Sequence, residues 1–176
     1  MSDGAGSGAR VRILGIDPGS RATGYGIIEI QGSRHWHVTS GVLQVSGADI
    51  TARLGGVFAG IRALAREYQP AEAAIERVFM ARNADAALKL GQARGAALCG
   101  LAEAGCPVAE YAPREIKLAV VGTGAADKRQ VQHMVRRLLG LPEAPPADAA
   151  DALAVALCHA HVRQTRQRLA RAGRRT

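Results

Sequence analysis

The run Val11-Arg12-Ile13-Leu14-Gly15-Ile16 is short and apolar, and Asp17-Pro18-Gly19 ends it, which predicts a buried strand closing at about Asp17. Gly24 to Ile30 and His35 to Val45 predict two further strands, joined through Gln31-Gly32-Ser33 as a hairpin. Their short links imply an antiparallel meander. Between Asp49 and Tyr68, Ile50, Leu54, Val57, Phe58, Ile61, Leu64 and Ala65 recur at helical spacing, so an amphipathic helix is expected, ended by Pro70. Ala71 to Glu76 fits a central strand. Asn83 can cap a second helix through Leu101 or Glu103, which Gly105-Cys106-Pro107 stops before a brief strand at Val108 to Tyr111. Pro113 opens a short helix to about Val121, Asp127 can cap another through Leu139, and the last helix runs from about Ala147 toward Gln164. The order βββαβαβααα predicts an α/β fold in which helices flank a mixed five-stranded sheet.

The chain has 176 residues, enough for one well-buried domain and short for two. Residues 1–10, rich in Gly and Ser, are expected to form a flexible leader. Residues 11–164 form the domain, and 165–176 a basic, disordered tail. Only 3% of residues are aromatic, so the core must be built from Ala, Val, Leu and Ile. No stretch approaches the roughly 18 apolar residues of a membrane span, and the polar start does not look like a signal peptide; a cytoplasmic protein is expected. Cys99, Cys106 and Cys158 show no metal-type spacing and are expected to pack as small buried apolar groups. The net charge is +8, which points toward a polyanionic partner. Six arginines between Val162 and Thr176 carry most of it, and removing them from +8 leaves +2. A case for nucleic acid must therefore rest on where the other basic residues lie.

Four acids stand in apolar surroundings. Asp17 and Glu76 each close a strand, while Asp148 and Asp151 interrupt an alanine-rich segment three residues apart, so that on a helix they project from one face. Taken singly, Asp17 could start a turn, Glu76 could be a solvated strand end, and Asp148 could complement a helix N-terminus. Together they form an open carboxylate cluster of the kind that holds cations. Mg²⁺ prefers hard oxygen ligands and keeps several waters, and two such ions suit in-line phosphodiester hydrolysis. The chain has only three lysines, and two of them, Lys117 and Lys128, lie in the helices preceding the acid pair, where they could bind a scissile phosphate. A solvated helix face is the alternative. Phe79 and Arg82 follow Glu76 in an expected loop; the aromatic could fold into the core or wedge against an unstacked base, with Arg82 on phosphate or base.

The blocks Ile13 to Gly26, Ala74 to Gly95 and Ala147 to Ala154 resemble, in order, those of the RuvC family of bacterial Holliday junction resolvases, and the similarity runs from Ile13 to Val162. The resemblance implies a ribonuclease H-like fold acting as a homodimer on four-way junction DNA, with two symmetric nicks that a ligase can seal. It implies Asp17, Glu76, Asp148 and Asp151 as catalytic, metal-binding carboxylates for about two Mg²⁺ ions, with Mn²⁺ as a substitute. Lys117 and Lys128 match lysines that engage DNA, Phe79 matches a wedge aromatic, and RuvA and RuvB are implied partners. Some relatives have His where this chain has Asp148. The second helix, with Ala84, Ala86, Ala87, Gly91, Ala93, Gly95, Ala96 and Ala97, lies at the family's subunit interface; packing on its own sheet fits the same residues. An ATPase of the actin and sugar-kinase type is a rival, since Gly15 to Ser20 looks like its phosphate motif. Such enzymes need a second, duplicated domain, and no internal repeat is present. A junction-binding protein without catalysis and a general metal-dependent nuclease are further rivals.

Overall fold

The computed structural model describes residues 9–19, 21–77 and 83–173. Five strands, β1 (Val11–Asp17), β2 (Ala22–Gln31), β3 (Arg34–Gln44), β4 (Glu72–Glu76) and β5 (Val108–Tyr111), form one sheet in the order β3-β2-β1-β4-β5. The first three make the antiparallel meander, and β4 and β5 join it in parallel. The helices are α1 (Ile50–Tyr68), α2 (Ala84–Glu103), α3 (Pro113–Val121), α4 (Lys128–Leu138) and α5 (Ala147–Ala172). The expected element order and the mixed five-stranded sheet are both present.

Alternation along the strands sorts the core into two layers. Leu14, Ile16, Ile27, Ala73 and Ile75 face α1 and α2, where Val57, Ile61, Ala97 and Leu101 meet them. Ile13, Ile28, Ile30 and Ala74 face the other way, onto α5, with α3 and α4 packed against it through Ile116, Val120, Val131 and Val135. Cover on both faces explains why the centres of β1 and β4 are continuously apolar and buried, whereas the edge strand β3 is not.

Local chemistry accounts for most helix boundaries. Asp49 accepts from the Ala52 N–H at 2.8 Å, and Asn83 from the Asp85 N–H at 2.9 Å. Asp127 and Gln130 form a reciprocal capping box at 2.8 and 2.9 Å. Gln69 closes α1 in the left-handed region (φ 48°) immediately before Pro70.

Two expectations need correction. The last helix does not stop near Gln164 but continues to Ala172, because residues 165–172 contain no Gly or Pro and their arginines suit a helix C-terminus. Cys99 is not buried: it is exposed on α2. Cys106 and Cys158 are buried as expected, and burial pushes their thiols up to about 11 and about 12, so both stay protonated and unreactive.

Candidate active site

Register brings the first two acids together. Ile16 pairs with Ile75 across the parallel β1–β4 ladder, so Asp17 and Glu76 leave neighbouring strands side by side at the same end of the sheet. Asp17 pairs on its other side with Gly24. α5 then crosses this region at very short range. A Cβ on Gly15 would lie 2.1 Å from the Ala152 carbonyl oxygen, and one on Gly24 would lie 2.0 Å from the Asp148 carbonyl oxygen. Bare backbone on the strands, met by the buried Ala149, Ala150, Ala152 and Ala156 of the helix, lets the first two turns of α5 rest almost on the sheet. Those turns carry Asp148 and Asp151.

A cavity of about 280 Å³ opens at this point, lined by Asp17, Glu76, Pro113, Ile116, Lys117, Lys128, Val131, Asp151 and Ala154. Pro113 and Lys128 are the first residues of α3 and α4, and Asp151 lies near the start of α5. Three helix N-termini thus surround the cavity, an arrangement that favours negative charge inside it. The walls below are apolar. Burial, followed by repulsion from Glu76, Asp151 and Asp148, raises the Asp17 carboxyl from 3.8 to about 7, with the Lys128 ammonium acting against the rise. Glu76 is raised as well, by burial and then by Asp151, while Lys128 and Lys117 oppose the shift. Lys128 donates to Asp151 at 3.2 Å, and the acids raise its own value.

The structure therefore gathers Asp17, Glu76, Asp151, Lys117 and Lys128 around one cavity. Asp148 does not line it, yet lies close enough to act on Asp17. Among the described residues no three His, Cys, Asp or Glu side chains stand close enough together to form a ready-made metal site. Hard carboxylate oxygens whose mutual repulsion the two lysines only partly offset suit a hydrated divalent cation, which would relieve that repulsion and tolerate few protein ligands. Phe79 and Arg82 lie outside the described residues.

One supporting residue has no counterpart among the sequence-based candidates. Arg94 of α2 donates to the Glu76 carbonyl at 3.3 Å and pairs with Glu110 at 2.6 Å, bracing the strand end that presents Glu76. No local signal distinguishes this arginine, since both partners arrive through tertiary structure. Midway along α5 a second network ties the helix to the sheet: the Tyr111 hydroxyl and His159 Nδ1 are 2.7 Å apart, His159 Nε2 lies 2.6 Å from Glu72, and Arg163 also pairs with Glu72. α5 is thus held by glycine contacts near its start and by partly buried polar contacts midway along it.

A family model described as crossover junction endodeoxyribonuclease RuvC matches residues 13–159. The chain belongs to the RuvC family. Curated RuvC proteins from Shewanella amazonensis and from Shewanella sp. strain MR-4 are 59% and 60% identical to it over 153 residues, covering 87% of this chain and 88% of theirs. The structure of Thermus thermophilus RuvC in complex with a Holliday junction substrate superposes with a TM-score of 0.83 at 37% identity, covering 88% of this chain and 96% of that one. The yeast mitochondrial Holliday junction resolvase Ydc2 shares the fold, with a TM-score of 0.63 at 13% identity. In this RuvC-family chain the whole acid cavity, from Asp17 to Ala154, falls within the matched residues.

Proposed function

We propose that this protein is a metal-dependent endonuclease that resolves Holliday junctions by paired symmetric nicks, in recombination and repair. The observation that carries the reading is the cavity in which Asp17, Glu76 and Asp151 face Lys117 and Lys128 beneath three helix N-termini. Asp17, Glu76, Asp148 and Asp151 would hold Mg²⁺, about two ions per site, with Mn²⁺ as a substitute. Such ions would supply Lewis-acid chemistry for phosphodiester hydrolysis. Lys117 and Lys128 bind the scissile phosphate and hold it against the helix N-termini, where the developing negative charge is favoured. Lys128, poised on Asp151, neutralises part of the acid charge that would otherwise repel DNA. Phe79, by its match to the family's wedge aromatic, and Arg82, as a basic residue close to it in the chain, are proposed DNA contacts.

A homodimer suits a substrate with approximate two-fold symmetry. Supporting it, an apolar groove between α1 and α2 is lined by Ile50, Leu54, Phe58, Ala96 and Cys99, and Leu88 nearby on α2 is 62% exposed. The small residues of α2 serve both roles: Ala93 and Ala97 are buried, whereas Gly91 and Gly95 have open space before them. RuvA and RuvB are proposed partners and the cytoplasm the proposed location. No helix among the described residues is long and apolar enough to cross a membrane.

The test is cleavage of a strand-labelled mobile four-way junction beside linear duplex of matching sequence, with Mg²⁺ and no ATP, for the wild type and Asp17→Asn. Paired, ligatable nicks in the junction alone, absent in the variant although binding persists, are expected. Equal cutting of duplex would reduce the protein to a general nuclease, and junction binding without cutting would leave a structural role.

A further inference from the structure

On the opposite layer of the sheet, at the same end as the acids, lies a second cavity of about 450 Å³, lined by Arg21, Val45, Ser46, Gly47, Arg53, Asp85, Ala86 and Lys89. Topology makes this position. β1 ends, β2 begins and β3 ends there, and α1 and α2 both start there, so the cavity sits over the same end of the sheet as Asp17 and Glu76. The Val45 N–H donates to the Arg21 carbonyl at 2.9 Å, which fixes the two strand ends that form one wall.

Its charge is unbalanced. Lys89 pairs with Asp85 at 2.7 Å, one turn away on α2. Neither Arg21 nor Arg53 has a carboxylate partner among the described residues; several surface arginines share that state, and what distinguishes these two is that both line one cavity. Two guanidinium side chains without carboxylate partners line one concavity at the acid-bearing end, and each carries the planar donor set that suits phosphate oxygens.

We infer that Arg21 and Arg53 hold a backbone phosphate of the junction DNA away from the scissile position, so that a strand crossing this end of the sheet is gripped on both layers. The inference rests on the proposed junction-resolving function. Because the site reads no bases, it contributes register and affinity rather than sequence preference.

The experiment measures binding of a four-way junction as a function of salt in EDTA, for the wild type, the Arg21→Gln/Arg53→Gln pair, the corresponding Arg21→Lys/Arg53→Lys pair, and Arg166→Gln/Arg168→Gln. The last pair removes equal charge from the far, exposed end of α5. The Arg21/Arg53 glutamine pair should bind roughly tenfold more weakly at about 0.1 M salt, with a salt slope smaller by about 0.9 for each phosphate that is no longer neutralised. The lysine pair should keep most of the slope, and its binding also guards against a fold lost in the glutamine pair. An unchanged slope in the glutamine pair, or an equal change in the Arg166/Arg168 pair, would overturn the inference. Failure of the wild type itself to bind or cut junctions would instead sink the proposed function.

Discussion

Replacing Gly15 by alanine tests whether strand glycines set the catalytic geometry. The added Cβ would lie 2.1 Å from the Ala152 carbonyl oxygen, 2.7 Å from the Ala156 nitrogen and 2.9 Å from the Ala156 Cβ. Carbon atoms rest at roughly 3.5 Å or more from non-bonded neighbours, and two of these three atoms are helix backbone, which cannot rotate away. α5 must therefore lift by roughly 1 Å to restore ordinary contact. Overpacking of this kind costs up to about 3 kcal/mol, and more where backbone is involved, which for a chain of this size corresponds to a Tm lowered by roughly 6–12 °C. Ala152 directly follows Asp151, so the same movement draws that carboxylate away from Asp17 and Glu76; a displacement of about 1 Å at a reacting centre can cost about 100-fold in rate. The assay pairs thermal melts with single-turnover junction cleavage at saturating enzyme. Gly56→Ala is the control: it sits inside α1 with nothing near its would-be Cβ, so it should gain about 1 kcal/mol. A Gly15→Ala protein with wild-type Tm and rate would refute the reasoning, because α5 would then not be seated by this contact.

Asp17→Asn should stabilise the metal-free protein as pH rises. The carboxyl is raised in the fold from 3.8 to about 7, so the native state holds its proton longer than the unfolded chain; the resulting penalty is absent below pH 3.8, grows between these values and is complete above about 7, where it amounts to about 4 kcal/mol. Melts in EDTA should show the variant gaining over wild type at pH 8 and not at pH 4, and equal differences at both would contradict the burial and repulsion assigned to Asp17. Tyr111→Phe removes the 2.7 Å hydrogen bond to buried His159 and leaves that ring nitrogen unpaired, which should cost about 1–3 kcal/mol in urea unfolding. An unchanged midpoint would show that the network midway along α5 contributes nothing to anchoring the helix.

Features that depend on neighbours a few residues away are legible in the sequence alone. Asp49, Asn83 and Asp127 cap their helices through bonds spanning two or three residues, and Pro70, Pro107 and Gly122 punctuate segments by backbone sterics, so nearly every element can be read there. The four acids stand out because a carboxylate in an apolar run needs a compensating charge wherever it folds. What the local pattern lacks is depth. The spacing of the acid cluster follows from the order β3-β2-β1-β4-β5, which sets Asp17 beside Glu76, and from strand glycines that admit α5. Arg94 reaches Glu76, and Glu72 reaches His159 and Arg163, across elements far apart in the chain. Cys99 departs from expectation because exposure depends on what packs against a segment, which its own residues do not record; the final turns of α5 are exposed and follow from local composition, the absence of Gly and Pro after Gln164. Residue types thus determined which chemistry was available, and tertiary structure alone decided which of those groups share a cavity.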